Sequence, residues 1–373
     1  MIIKTFDVFS LSIPFLHPQF YAKKSWKTLE SLIIRLGDGQ HFGFAEIPFN
    51  TAPDISLPAL KISLQEQFSP KIIGACLEKE WDLYEKLEEL TEQPFSFAAV
   101  EMAWWDLNAR RKEIPLFQIL GASRISQEIF TSVDRPAGNF DDINLHDFLK
   151  NVKHFWDTGY AHLELKIRPG WSHEMLNAVR EMAPGTSFHL DAEASLRQKN
   201  LMEICHLMDF MPWMIEQPLE ADNFIGHYDL QQNLQIPVGL DESISSLNAA
   251  RTALHLKCAK CLKINPIRVG GFSAAKEIIT SCQEENVDVW ISSPIQTGIG
   301  ASAALALACM DGVTGPFEYH DPVRYFAEEN IKKLPWLPKP TLDEDDLLRI
   351  TPSEEAGSGM EWNTETLFVP DSP

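Results

Sequence analysis

Four charged residues recur at a constant interval of 25 positions: Lys166, Asp191, Glu216 and Asp241. Each closes a short apolar run, in His162-Leu-Glu-Leu-Lys166, Phe188-His-Leu-Asp191, Trp213-Met-Ile-Glu216 and Pro237-Val-Gly-Leu-Asp241. A strand, a helix and their loops fit that interval, so each step moves one strand around a parallel barrel. The four side chains then converge at the C-terminal mouth, where barrel active sites lie. Three carboxylates there are oxygen ligands suited to a hard cation, Mg²⁺ or in its place Mn²⁺, with water and substrate completing the shell. An acid at the end of a strand can also do no more than cap a helix. Three in equal register, each ending an apolar run, favour shared chemistry over three separate caps.

The elements that must position these residues are legible in the hydrophobic rhythm. Residues 1 to about 50 alternate as antiparallel strands, with a Gly37-Asp38-Gly39 turn before Phe42-Gly-Phe-Ala-Glu46. From about 56 to 120 the pattern is helical. In Phe97 to Arg111, apolar residues at 100, 103, 104 and 107 mark one face. From 128 onward, short apolar runs alternate with amphipathic stretches: 128–133, 162–167, 187–192, 213–217, 235–241, 260–265, 287–292 and, weakly, 314–319. Eight such runs predict a (β/α) barrel rather than an open sheet. The division expected is an α+β capping domain over 1–125, a barrel over 126–330 and a C-terminal segment, 331–373, packing back on the capping domain. Its last 33 residues hold nine acidic side chains and one basic one, yet Trp362 and Leu367-Phe-Val369 give it apolar anchors.

Composition excludes several classes. The 373 residues carry 53 Asp and Glu against 32 Lys and Arg, a net charge of −21. No basic stripe is available to displace counterions from nucleic acid or to approach anionic lipid. The most apolar run, Ala301 to Met310, is too short to span a bilayer and reads as a buried helix. Asp7 and Ser10 interrupt the N-terminal apolar stretch, so no signal peptide is expected. Cys258-Ala-Lys-Cys261 lacks a matching second pair and reads as structural thiols. The expectation is a cytoplasmic globular protein without nucleic acid or membrane as partner; self-association into a homo-oligomer stays open.

The segments Glu216-Gln-Pro-Leu219, Leu240-Asp-Glu-Ser243, Arg268-Val-Gly-Gly271 and Thr297-Gly-Ile-Gly300 resemble the enolase superfamily. Within it they are similar to the branch of o-succinylbenzoate synthases and N-acylamino-acid racemases. Leu165-Lys-Ile-Arg-Pro-Gly-Trp171, Val179-Arg180 and Ile114-Pro-Leu-Phe-Gln-Ile-Leu-Gly121 fit the same branch. The resemblance covers about residues 1 to 325. It implies an α+β capping domain on a modified (β/α)7β barrel, with Asp191, Glu216 and Asp241 as magnesium ligands. It also implies abstraction of a proton alpha to a carboxylate, giving an enediolate, with Lys166 as the catalytic lysine.

The departures from the family pattern are informative. Where the family has Lys-x-Lys on the second strand, this chain has Glu164-Leu-Lys166. Where it has a second lysine on the sixth strand, this chain has Asn265, and Lys263 sits two residues earlier on the same face. Lys263 either reaches the site as a second catalytic cation or serves as a buried partner for Glu164. The two changes read together as one compensated swap. Glu193 replaces an asparagine and Gln296 a glutamate. His189 shares a face with Asp191 and is expected to be a core histidine. Trp290-Ile-Ser-Ser-Pro294 carries no histidine base on the seventh strand.

Several further residues are expected to hold substrate. Gly298 and Gly300 open a helix whose backbone N–H groups suit a carboxylate, with tight helix packing as the alternative. Asn265 and Gln296 offer neutral hydrogen bonds. Phe20 and Tyr21, in the loop Phe15 to Ser25, could close over an apolar substrate or simply pack within the capping domain. One secure lysine suffices for a syn dehydration, whereas racemisation needs a base on each face of the carbon. Dehydration to o-succinylbenzoate is therefore favoured over N-succinylamino-acid racemisation. A barrel that binds metal and ligand without the family chemistry is the third possibility.

Overall fold

A computed structural model of the chain describes residues 1–21, 24–51, 56–133, 145–169, 172–197 and 201–362. The N-terminal sheet is antiparallel, in the order β1 (Thr5–Tyr21), β2 (Lys24–Gly37), β3 (Phe42–Pro48). Its second turn is tight because Asp38 Oδ1 accepts from the backbone N–H groups of Gln40 and His41, both at 2.8 Å. β3 lies against the long helix α1 (Pro94–Arg111), whose start has proline in the first turn, where no N–H is needed. Gly43 makes the approach possible, since a Cβ there would collide with the Leu107 nitrogen and the Ala103 carbonyl. The one-sided apolar face predicted for this helix understates its burial. Every residue from Ser96 to Arg110 is buried, because the sheet covers one side and the barrel another.

The barrel strands follow in chain order: β4 (Gln127–Val133), β5 (His162–Lys166), β6 (Phe188–Asp191), β7 (Ile215–Glu216), β8 (Val238–Leu240), β9 (Cys261–Ile264), β10 (Asp288–Ile291) and β11 (Phe317–Glu318). Each of the eight coincides with one of the predicted runs. Neighbours pair in parallel from β4 through β10, and β11 pairs with β4. Thr314 and Gly315, just ahead of β11, donate to Val289 O in β10 and close the ring. Among the described residues one main helix follows each of the first seven strands: α2 (Leu145–Asp157), α3 (Ser172–Met182), α4 (Leu201–Leu207), α5 (Phe224–Asn233), α6 (Leu247–Leu256), α7 (Phe272–Glu285), which a short helical turn at Pro266–Val269 precedes, and α8 (Gly298–Ala308). The architecture is a (β/α)7β barrel with a separate antiparallel N-terminal unit.

Alternation along the strands layers the barrel interior. Phe130, Met214, Cys261 and Trp290 form an apolar floor. The layer above is charged, and the layer above that reaches the mouth. After the barrel, β12 (Thr341–Leu342) and β13 (Leu348–Ile350) form a hairpin whose second strand pairs antiparallel with β4. The chain then runs to α1. Arg110 donates to Met360 O at 2.8 Å and to Glu361 Oε1 at 2.6 Å, and Trp362 stands edge-on to Phe9 at 5.1 Å. All six cysteines are free thiols, and Cys258 and Cys261 are buried. Among the described residues no helix is long and apolar enough to cross a membrane.

Candidate active site

The equal spacing of the charged residues becomes a register. Lys166 pairs with Asp191 across β5 and β6, and Asp191 with Glu216 across β6 and β7. Asp241 follows β8 directly. All four line one polar cavity at the C-terminal mouth, with Lys263 and His320.

Lys166 is the accessible lysine, its side chain 20% exposed, with Nζ 2.5 Å from Asp191 Oδ2, 2.6 Å from Glu164 Oε1 and 3.6 Å from Glu193 Oε1. Burial works against its charge, but Asp191 and Glu164 outweigh burial and hold the ammonium well above the usual lysine range. In this state the group is a proton donor; to accept a proton it would first have to lose one.

Lys263, one layer lower, is only 4% exposed. Its Nζ lies 2.9 Å from Glu164 Oε2, 3.1 Å from Glu216 Oε1 and 3.5 Å from Glu318 Oε2, and 5.3 Å from the Phe130 ring centre. Burial opposes this charge too, and Glu164 and Glu216 override it. Glu164 thus bridges both lysines. Burial alone would raise its pKa; Lys166 and Lys263 bring it well below the usual carboxylate range. Ser132 Oγ donates to it at 2.5 Å.

His189 is fully buried in this layer, its Nε2 3.2 Å from both Glu164 and Glu216. Its Nδ1 meets His162 Nε2 at 3.0 Å, and His162 meets Ser187 at 2.7 Å. Burial disfavours charge on both rings, but the two glutamates reverse that for His189, while His162 stays well below its usual value. His189 is a partnered core histidine.

The mouth has the character of a cation site. Glu242 Oε2 is buried without a hydrogen-bond partner. Burial, then Asp241 and Asp191, push its carboxyl well above the usual range. Burial pushes the Asp191 carboxyl up to about 7, with Glu216 and Glu164 adding to it and Lys166 opposing. Asp191 is paired with Lys166, Glu216 with Lys263 and Asp241 with Arg268; the unpartnered Glu242 oxygen among these oxygen donors is the feature that fits a hard divalent cation. A second group, Glu164, His189 and Glu216, also has ligand atoms within 4.8 Å of one another. The Lys263 ammonium bonds two of its three members.

Other expected positions divide. Glu193 lines the cavity but is paired with Arg168. Asn265 also lines it, its Oδ1 3.4 Å from the Arg268 N–H as a helix cap. The helix-start expectation needs correction. The Gly300 N–H donates to Glu46 at 3.1 Å, Thr297 Oγ1 donates to Glu46 at 2.6 Å, and the Gly298 N–H donates to Pro335 O at 2.8 Å. The carboxylate at this helix start belongs to β3 of the chain itself. Gln296 turns away, Nε2 donating to Ser293 Oγ at 3.2 Å, and neither it nor the two glycines lines the main cavity. The backbones of Phe20 and Tyr21 pair with Ser25 and Lys24, and their side chains lie outside the described residues.

Two residues escaped the spacing pattern. Glu318 ends β11 and takes the Ser293 N–H at 3.2 Å. His320, one pleat further, holds Nδ1 3.1 Å from Tyr325 Oη and Nε2 3.4 Å from Glu318 Oε1. The signal was present in Phe317-Glu-Tyr-His320, but the eighth run is the least apolar and its strand, like β7, spans only two residues.

Residues 147–366 match the family described as enolase C-terminal domain-like, and residues 8–121 match the mandelate racemase / muconate lactonizing enzyme N-terminal domain. The chain belongs to the mandelate racemase / muconate lactonizing enzyme group of the enolase superfamily. It is 31% identical over 271 residues to an N-succinylamino acid racemase of Thermus thermophilus, covering 72% of each chain. It is 30% identical over 305 residues to the o-succinylbenzoate synthase of Bacillus subtilis, covering 82% of this chain and 78% of that one. A solved enolase-superfamily structure from Enterococcus faecalis superposes with a TM-score of 0.84 at 26% identity, over 98% of this chain and 96% of that one. These relatives are lyases and isomerases, and the chain is an enzyme of that kind.

Proposed function

We propose that the chain abstracts a proton alpha to a substrate carboxylate and completes a syn dehydration to o-succinylbenzoate, the menaquinone precursor. The observation that carries this is the contact of one accessible lysine, Lys166, with Asp191 at the barrel mouth. Asp191, Glu216 and Asp241 are the residues to hold Mg²⁺ or Mn²⁺, with Glu242 beside them. When bound, the metal supplies Lewis-acid stabilisation of charge building on the substrate carboxylate. Asp191, once engaged by a cation, would pull less on the Lys166 ammonium and ease the loss of its proton. Lys166 then takes the alpha proton and returns it to the departing hydroxyl from the same face.

The similarity to the Thermus racemase supports a second reading, N-succinylamino-acid racemisation. That reaction needs a base on each face of the carbon. Lys263 is the lysine nearest to such a role, yet it is 4% exposed and held by carboxylates. A third reading keeps metal and ligand binding and loses turnover.

The test is turnover of 2-succinyl-6-hydroxy-2,4-cyclohexadiene-1-carboxylate with Mg²⁺ by the native chain and by Lys166→Ala. Activity only in the native chain supports dehydration, and none in either rules it out. Solvent deuterium entering both enantiomers of an N-succinylamino acid would establish the racemase. Mg²⁺ binding without alpha-proton exchange on any carboxylate would establish the binding protein.

A further inference from the structure

We propose that Lys263 is a tethered counter-cation: its ammonium occupies a second cation site, built by Glu164, His189 and Glu216 beneath the first, and so positions Glu216. The proposal deepens the function above, since Glu216 is taken there as a metal ligand.

The geometry carries it. Glu164, His189 and Glu216 present three ligand atoms within 4.8 Å of one another, all three residues buried. Such a group suits a divalent cation. The Lys263 Nζ already bonds both carboxylates, at 2.9 Å to Glu164 and at 3.1 and 3.4 Å to the two oxygens of Glu216. His189 Nε2 closes the group at 3.2 Å from each acid. Glu318 approaches Lys263 from β11 at 3.5 Å, and the Phe130 ring faces the ammonium from below. Four charged or aromatic partners from four strands converge on a side chain only 4% exposed.

A Glu216 carboxylate tied to a cation below has a fixed position for its use above. It is the one ligand candidate shared by both layers. In this arrangement Lys263 is a positioning residue, and proton transfer is left to Lys166. The charge beneath the mouth comes from the sixth strand, and Glu164 on the second strand is its counter-ion.

Stoichiometry of Mn²⁺ binding, counted by electron paramagnetic resonance, tests this without any turnover. The native chain is expected to bind one Mn²⁺ and Lys263→Ala two. Millimolar methylammonium, which mimics the missing ammonium, is expected to displace the second ion of the variant and not the first. One ion in both chains, or two in the native chain, overturns the proposal. No ion in the native chain and one in the variant upholds it and removes the metal-dependent function instead. If Lys263→Ala does not fold, ¹⁵N-lysine-labelled native chain decides. One ammonium protected from solvent exchange and unmoved by Mg²⁺ is expected, and its absence or its displacement by Mg²⁺ overturns the proposal.

Discussion

Lys263 donates to Glu164 at 2.9 Å, joining residues 99 positions apart across the barrel interior. The bond joins the acid on the second barrel strand to the cation on the sixth, the two residues expected to form a compensated pair. Breaking a buried pair by removing one partner leaves an uncompensated charge and costs about 3–5 kcal/mol. Lys263→Met and Glu164→Gln should each cost in that range by urea unfolding. The double variant should cost less than the sum of the two. Strict additivity would show that the pair is not coupled.

Lys166→Ala should leave the fold and Mn²⁺ binding intact, because the side chain sits at the mouth and is 20% exposed. Exchange of the alpha proton, followed by mass spectrometry in deuterated buffer, should fall by about 10²–10⁴-fold, the usual contribution of a positioned acid–base group. Exchange at the native rate would remove Lys166 from the chemistry.

The interval between Lys166, Asp191, Glu216 and Asp241 was readable because a strand-helix unit is local and its period is regular. The eight strands were readable for the same reason. The partnership of Glu164 and Lys263 was half legible, since both lie on inward pleats and carry opposite charge. What escaped depends on contacts between distant segments. Glu46 reaches the start of α8 across 254 positions, and no periodicity in either segment announces it. The helix start therefore looked like a substrate site when it was already satisfied. The burial of α1 on every face from Ser96 to Arg110 was missed because its polar residues, among them Asp106 and Arg110, are buried with partners.

Glu242 Oε2 is the one carboxylate oxygen among the described residues that is buried without a partner, and it lies beside Asp241 and Asp191. A bound cation or its water would satisfy it. Glu242→Gln should weaken Mg²⁺ binding, read by calorimetry, by roughly 10-fold or more, as for other groups that orient metal ligands. It should also leave thermal stability of the metal-free chain unchanged or raised, because the cost of burying an unpartnered acid is gone. Unchanged affinity would remove Glu242 from the cation site.

Glu101, on α1, caps the start of α7: the Phe272 and Ser273 N–H groups donate to it at 2.9 and 3.0 Å, and Trp105 Nε1 at 2.8 Å. Those bonds favour the carboxylate, but burial outweighs them and pushes its pKa up to about 7 from an ordinary 4.5. The folded chain therefore binds this proton more tightly than the unfolded chain. Its contribution to stability is largest below the ordinary value and is lost as pH rises through 7. At about 1.4 kcal/mol per pKa unit the loss is roughly 3 kcal/mol. Glu101→Gln removes that titration and leaves every other group in place. The stability of the native chain relative to the variant, from urea unfolding, should fall by up to that amount between pH 5 and pH 8. A difference that is flat or rises with pH would mean that the bonds from α7, rather than burial, set the charge of Glu101.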